Sequence, residues 1–146
     1  MSDLDSPAPA EAAGGVSTVE VRTTASAALI PTIRAVASDL AARADFDLDA
    51  ISDLRMAVDE ACATLVDVAA PTSMLQCTFL VHDEHIEVFA KVRAGAADAV
   101  VSTDTFGWRV LQTLADVVEA VRETGGDHVA PMVGIKLDKR SGIPLQ

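Results

Sequence analysis

The segment Asp53–Thr64, D-L-R-M-A-V-D-E-A-C-A-T, decides how the rest of the chain is interpreted. Apolar residues recur through this segment and just beyond it, at Leu54, Val58, Ala61, Leu65 and Val68. Their alternating spacings of four and three predict one amphipathic helix packed on a core. Glu60 and Thr64 lie one turn apart on a neighbouring face of that helix, so their side chains are placed to act together.

Length and charge limit the classes of protein to consider. The 146 residues suffice for one domain with a core, and half of them are apolar. No apolar run is long enough to span a bilayer and no secretory signal is evident, so we expect a cytoplasmic protein without a membrane segment. The formal charge of -11 repels nucleic-acid phosphates and suits a partner with a basic working face, although many cytosolic proteins are acidic.

The chain divides into an acidic tail over residues 1–15, which we expect to be disordered, a domain over residues 16–140, and a loose tail over residues 141–146. Within the domain the patterns predict a β-α-α-β-β-α-β-β order. The predicted elements are Val16–Thr23, Ala27–Ala44, a helix from the acidic linker Asp45–Asp49 to about Ala70, Met74–His82, His85–Arg93, Thr105–Asp116, Val117–Glu123 and Val129–Leu137. This order predicts an α+β two-layer sandwich, with a mixed or antiparallel sheet covered on one face by helices.

Three local details of this prediction can be checked. Pro31 falls in the first turn of its helix, where proline is tolerated, and Asp47 or Asp49 can cap the next helix. The third helix is predicted to bury Phe106, Val110, Leu111 and Leu114, with Trp108 partly exposed. The basic stretch from Lys139 onward is predicted to be loose.

The central helix resembles the N-box of the RsbW-type anti-sigma factors, a group that includes the actinobacterial anti-sigma F factors. They are small members of the histidine-kinase-like (Bergerat or GHKL) ATPase family. In that family the helix has the form LrxAVxEAxxN, with a catalytic Glu and a magnesium-binding Asn. The resemblance implies that Glu60 is the general base, and that Thr64 takes the Asn position as a Mg²⁺ ligand. From the residues alone, Glu60 can equally be a solvated helix residue and Thr64 a half-buried filler.

A second motif of that family, D-x-G-x-G, recognises the adenine of ATP after a strand. The corresponding letters here are R-A-G-A-A at Arg93–Ala97. Gly95 matches the first glycine, whereas Arg93 replaces the Asp and cannot accept a hydrogen bond from the adenine amino group. Asp98 lies nearby and takes that role only in a shifted loop.

The third motif is the glycine-led helix whose backbone amides cradle phosphates. The corresponding stretch is F-G-W-R-V-L-Q-T-L-A-D at Phe106–Asp116. Gly107 agrees with the motif, and Arg109 is placed to reach a phosphate. A packed helix start without a ligand explains the same letters.

Together the three motifs imply that the chain has the fold of this family, but that several residues of the ATP and Mg²⁺ site are replaced. We therefore expect an anti-sigma factor that sequesters an alternative, sigma F- or B-like sigma factor. By resemblance it is a homodimer, and a STAS-domain anti-anti-sigma protein releases the sigma factor. One alternative is an active ATP-dependent serine/threonine kinase that phosphorylates the STAS protein and uses Asp98 and Arg109 in its pocket. Another is a small-molecule sensor that shares only the order of elements.

Three smaller groups of residues have competing interpretations. His82 and His85 bracket Asp83–Glu84, which we interpret as a hairpin turn rather than a zinc site, because zinc needs further ligands. Cys62 and Cys77 are interpreted as buried free thiols; the alternative is a redox switch between them, for which the sequence offers no argument. The acidic side chains of Asp45, Asp47, Asp49 and Asp53 either cap a helix or contact a basic sigma surface.

Overall fold

The computed structural model describes residues 15–142, so residues 1–14 and 143–146, which make up most of the two predicted tails, lie outside it. The elements are β1 Ser17–Thr24, α1 Ile30–Arg43, α2 Leu48–Val68, β2 Met74–Val81, β3 His85–Arg93, α3 Phe106–Leu114, β4 Val117–Glu123 and β5 Met132–Arg140. A short 3-10 turn at Ala27–Leu29 precedes α1. The predicted order of elements is confirmed.

The five strands form one antiparallel sheet in the order β1-β2-β3-β5-β4, so β1 and β4 are its edges. Alternate side chains of β2, β3 and β5 are buried, and the three helices pack on this side of the sheet. Phe79, Val88 and Leu137 follow one another across the sheet in this buried layer. The predicted α+β two-layer fold is confirmed, and no helix within residues 15–142 covers the opposite face of the sheet, called the open face below.

Local chemistry explains where α2 begins and ends. Asp47 is its N-cap, and Asp47 Oδ1 accepts a hydrogen bond from the Ala50 amide at 2.7 Å. The buried stripe includes Leu54, Val58, Ala61 and Leu65 as predicted. The helix ends at Val68, two residues before the predicted end, because Ala69 is extended and forms a β-bridge with Ala94.

The predicted burial of α3 is wrong in two places. Phe106 is 81% exposed, whereas Trp108 is only 7% exposed. Thr105 caps the helix, and the buried stripe runs through Trp108, Leu111 and Leu114. Phe106 is therefore about 200° around the helix from Trp108, on the solvent side.

The predicted bounds of β5, and the loose stretch beyond it, are also wrong. The strand pairs with β3 as far as His85↔Arg140, three residues beyond the predicted end. Lys139 belongs to this strand, and its Nζ donates to Asp53 Oδ2 on α2 at 3.2 Å. Pairing with β3 supplies the backbone hydrogen bonds that extend β5 to Arg140, and the local sequence does not indicate this pairing.

No helix within residues 15–142 is both long enough and apolar enough to cross a membrane.

Candidate functional site

Glu60 and Thr64 occupy the border between the buried and exposed faces of α2. Both are half-buried, because Ala61 and Leu65 beside them turn into the core. Thr64 Oγ1 donates to Glu60 Oε2 at 3.3 Å. The prediction that these two side chains act together is consistent with this contact, in which the Glu60 carboxylate accepts a hydrogen bond.

The start of α3 lies directly against Glu60. Thr105 Oγ1 accepts a hydrogen bond from the Trp108 amide at 3.0 Å, which sets the first turn of the helix. In that turn, a Cβ added to Gly107 would overlap Glu60 Oε2. The absent side chain therefore lets the first turn of α3 approach the Glu60 carboxylate.

Asp59, the neighbour of Glu60, fastens α2 to α1. Arg34 Nη1 donates to Asp59 Oδ2 at 3.1 Å, and both side chains are about one-third exposed. Asp59 Oδ1 is buried and has no hydrogen-bond partner among residues 15–142. Sequence reasoning missed this pair, since 25 residues separate its members and no local pattern links them.

Gly95 lies at the far end of α2 from the cap. Its amide donates to the Val68 carbonyl at 2.9 Å, one turn beyond Thr64. A Cβ at Gly95 would make only ordinary contacts, 3.5 Å from the Ala69 carbonyl oxygen. Glycine is thus present at the loop position predicted for nucleotide binding, but its surroundings would also admit a side chain there.

Arg93 is directed to the other side of the sheet. Val92 before it is buried under the helices, so alternation along β3 places Arg93 on the open face. Its Nη1 donates to the Ala130 carbonyl at 2.7 Å. The side chain in the adenine-recognition position therefore supports the β4–β5 connection.

The two remaining predicted residues, Asp98 and Arg109, are both exposed. Neither makes a side-chain hydrogen bond or ion pair within the described part of the chain. Arg122 of β4, which sequence reasoning missed, fixes the loop that carries Asp98. Its guanidinium donates to the Ala97 carbonyl at 2.9 Å and to the Ala99 carbonyl at 3.0 Å.

The acidic cluster at the start of α2 divides into two pairs. Asp47 is the cap and Asp53 is paired with Lys139, so both have structural partners. Asp49 lies in the first turn, where a carboxylate offsets the helix dipole, and is exposed like Asp45. Of these four residues, Asp45 and Asp49 are the two whose carboxylates have no hydrogen-bond or ion-pair partner within residues 15–142.

Cys62 and Cys77 meet in the core beneath the site, and both are free and buried as predicted. The side-chain hydrogen bond with Cys62 raises the pKa of the Cys77 thiol well above its ordinary value, and burial adds to this effect. The Cys77 thiol is therefore held in its neutral, less nucleophilic form.

Comparison with known proteins shows the family to which this chain belongs. Residues 23–131 match the family described as Histidine kinase-like ATPase domain. The chain is also similar to the anti-sigma-F factor RsbW of two Mycobacterium tuberculosis strains, CDC 1551 / Oshkosh and ATCC 25618 / H37Rv. Each is 33% identical over 141 residues, which cover 96% of this chain and 83% of the relative. The chain therefore belongs to the histidine kinase-like ATPase domain family and, within it, to the RsbW-type anti-sigma factors.

Proposed function

We propose that this protein binds and sequesters an alternative sigma factor of the sigma F type, and that a STAS-domain anti-anti-sigma protein releases it. The observation that carries the proposal is the 33% identity to anti-sigma-F factors over 96% of the chain. The likeness covers the sheet and helices as a whole and is not confined to the N-box helix.

ATP with Mg²⁺ is the cofactor that the family implies, and the residues present fit it poorly. Arg93 stands where a carboxylate would accept from adenine, and its guanidinium is committed to Ala130. Thr64 offers a hydroxyl, already donating to Glu60, where an amide oxygen would hold Mg²⁺. We infer that sigma binding does not depend on nucleotide.

The sigma-facing surface is proposed to include Asp45 and Asp49. Both are exposed at the start of α2, and no residue in the described part of the chain pairs with their carboxylates, which a basic partner could therefore contact. The formal charge of -11 adds long-range attraction to such a partner. Rim charges of this kind act chiefly on the association rate and on its salt dependence.

A homodimer is also part of the proposal. Strand β1 is an edge of the sheet, and its outer backbone groups pair with no other strand within residues 15–142. Beside it a groove is lined by Val19 of β1 and by Pro31, Val36 and Leu40 of α1. An edge strand with an adjoining apolar groove supports pairing with a second copy, whose own β1 would extend the sheet.

A second candidate function is phosphorylation of a Ser or Thr on the STAS protein. One observation favours it: Glu60 keeps the position of a general base, with Thr64 one turn away and the first turn of α3 beside it. The altered adenine position weighs against this candidate.

Co-elution tests the leading proposal. The protein mixed with the sigma F-type factor of its organism should elute as one complex in size-exclusion chromatography, and the STAS protein should displace the sigma factor.

The double variant Asp45→Asn/Asp49→Asn should weaken the complex about three- to tenfold at low salt. The matched control Asp104→Asn/Asp127→Asn removes equal charge from exposed positions elsewhere and should change the affinity less than about twofold. Separate elution of the wild-type proteins would contradict the proposal.

A further inference from the structure

Four polar side chains gather on the open face of the sheet, at the end that carries the β2–β3 hairpin. His82 and His85 flank the two-residue turn, and the His82 amide donates to the His85 carbonyl at 2.9 Å. Glu87 follows His85 on the same face of β3 and lies opposite Asp138 of β5. Strand pairing thus places two imidazoles and two carboxylates together.

Each histidine is paired with one carboxylate. His82 Nε2 lies 2.6 Å from Glu87 Oε2, and His85 Nδ1 lies 2.7 Å from Asp138 Oδ1. The two imidazole rings stack with their centroids 4.1 Å apart and an interplanar angle of 2°. All four side chains are one-quarter to one-half exposed, so an ion from solvent can reach them.

We propose that His82, His85 and Glu87 bind a divalent transition-metal ion of the zinc class. One ligand atom from each of the three lies within 4.8 Å of the others. Tetrahedral ligands around zinc are about 3.4 Å apart, given bonds of about 2.0–2.1 Å, so binding would require the ligand atoms of these partly exposed side chains to move closer together by side-chain rotation. Two imidazoles and one carboxylate suit Zn²⁺, Co²⁺ or Ni²⁺ better than Mg²⁺ or Ca²⁺.

Asp138 acts as a positioning residue. Its contact with His85 Nδ1 favours the tautomer that donates Nδ1–H and leaves the Nε2 lone pair for the metal. At His82 the metal replaces the proton shared with Glu87, and that proton passes to solvent. The bound ion would join the hairpin to the end of β5, and water would fill the remaining position of the metal.

Titration of the chelator-treated full chain with Zn²⁺ in a calorimeter, and with Co²⁺ followed by visible absorption, tests this site. We expect one ion per chain and the absorption of tetrahedral Co²⁺. His82→Ala and His85→Ala should each weaken Zn²⁺ binding at least about tenfold, and Asp138→Asn, which leaves all three ligands in place, by about tenfold. His128→Ala removes the remaining histidine, exposed in the β4–β5 connection, and should leave affinity unchanged.

A second measurement does not depend on the folding of any ligand variant. In the wild-type protein, Zn²⁺ should shift the imidazole NMR signals of His82 and His85 and leave that of His128 in place. Absence of saturable binding, equal affinity in all variants, or a Zn²⁺-induced shift confined to His128 would each overturn the proposal.

Discussion

Gly107 at the start of α3 lies against the carboxylate of Glu60 on α2, so closely that a Cβ at position 107 would overlap Glu60 Oε2 and lie 3.1 Å from Glu60 Cδ. This contact joins the two helices at the centre of the candidate site. It also explains why the chain has glycine at the second position of a helix, where alanine has the higher helix propensity.

A double-mutant cycle measures this relationship. In the wild-type background Gly107→Ala forces the Glu60 carboxylate away and breaks its hydrogen bond with Thr64. In the Glu60→Ala background nothing obstructs the new methyl group, so the substitution should be more favourable. We expect a coupling free energy of about 0.5–2 kcal/mol from urea unfolding. Gly126→Ala, with no neighbour within 4 Å, is the control and should show no coupling to Glu60→Ala. A coupling below about 0.3 kcal/mol for Gly107 would refute the contact.

Glu60→Ala separates binding from any phosphate transfer. If the chain phosphorylates a STAS protein, the loss of its proton acceptor should abolish that transfer. Sigma binding should change less than about twofold, because rim contacts elsewhere carry it. Kd by calorimetry and ³²P transfer are the two readouts, and Glu119→Ala on the exposed face of β4 is the matched control. Equal loss of sigma binding and phosphate transfer would show that the role of Glu60 is not confined to phosphate transfer.

Gly134, the single glycine within the five described strands, is predicted to be sensitive to substitution. A Cβ there would lie 2.7 Å from the Ala90 carbonyl oxygen and 2.8 Å from the Phe89 ring. Because the first of these atoms is backbone, the strands must separate to admit a methyl group. Gly134→Ala should destabilise the protein by about 2 kcal/mol or more, whereas Gly126→Ala should be neutral within about 0.5 kcal/mol. Similar melting temperatures for the two variants would contradict the close packing.

The two buried thiols should resist modification. Because the raised pKa keeps Cys77 protonated in the folded protein, a thiol reagent such as DTNB should react only after denaturant is added. The folded state binds this proton more tightly than the unfolded state, so the contribution to stability is complete below the unfolded thiol pKa of about 8.5. It should be lost as pH rises above that value. Cys77→Ala should flatten the alkaline fall in unfolding free energy, and rapid DTNB reaction of the native protein would contradict the assignment.

Elements with strong local patterns were predictable from the sequence. The stripe of α2 and its N-cap depend on residues close in sequence; the stripe is as predicted, and of the two predicted caps, Asp47 and Asp49, the structure has Asp47. The errors came where tertiary neighbours decide. Phe106 is apolar but lies outside the stripe that begins at Trp108, and β5 extends to Arg140 because β3 pairs with it.

In the candidate site, too, contacts within one helix were predictable and contacts between distant segments were not. Glu60 and Thr64 were predictable as a pair because they lie one turn apart. Arg34 with Asp59 and the approach of Gly107 to Glu60 join distant segments, and no sequence period encodes them. The histidine hairpin was interpreted only as a turn, because Glu87, which alternation along β3 places on the same face as His85, was not counted with the two histidines. Asp138, 53 residues from His85, reaches it through strand pairing, so only a prediction of the register between β3 and β5 would have found that contact.

Calorimetric titration with the sigma F-type factor, in the presence and absence of Mg-ATP, tests the central claim most directly. The altered residues at Arg93 and Thr64 predict tight binding with the same Kd, within about twofold, in both conditions. Absence of binding both with and without Mg-ATP would contradict the assignment as a sequestering anti-sigma factor. A Kd that changes tenfold or more with Mg-ATP, about 1.4 kcal/mol, would show instead that the nucleotide site is in use.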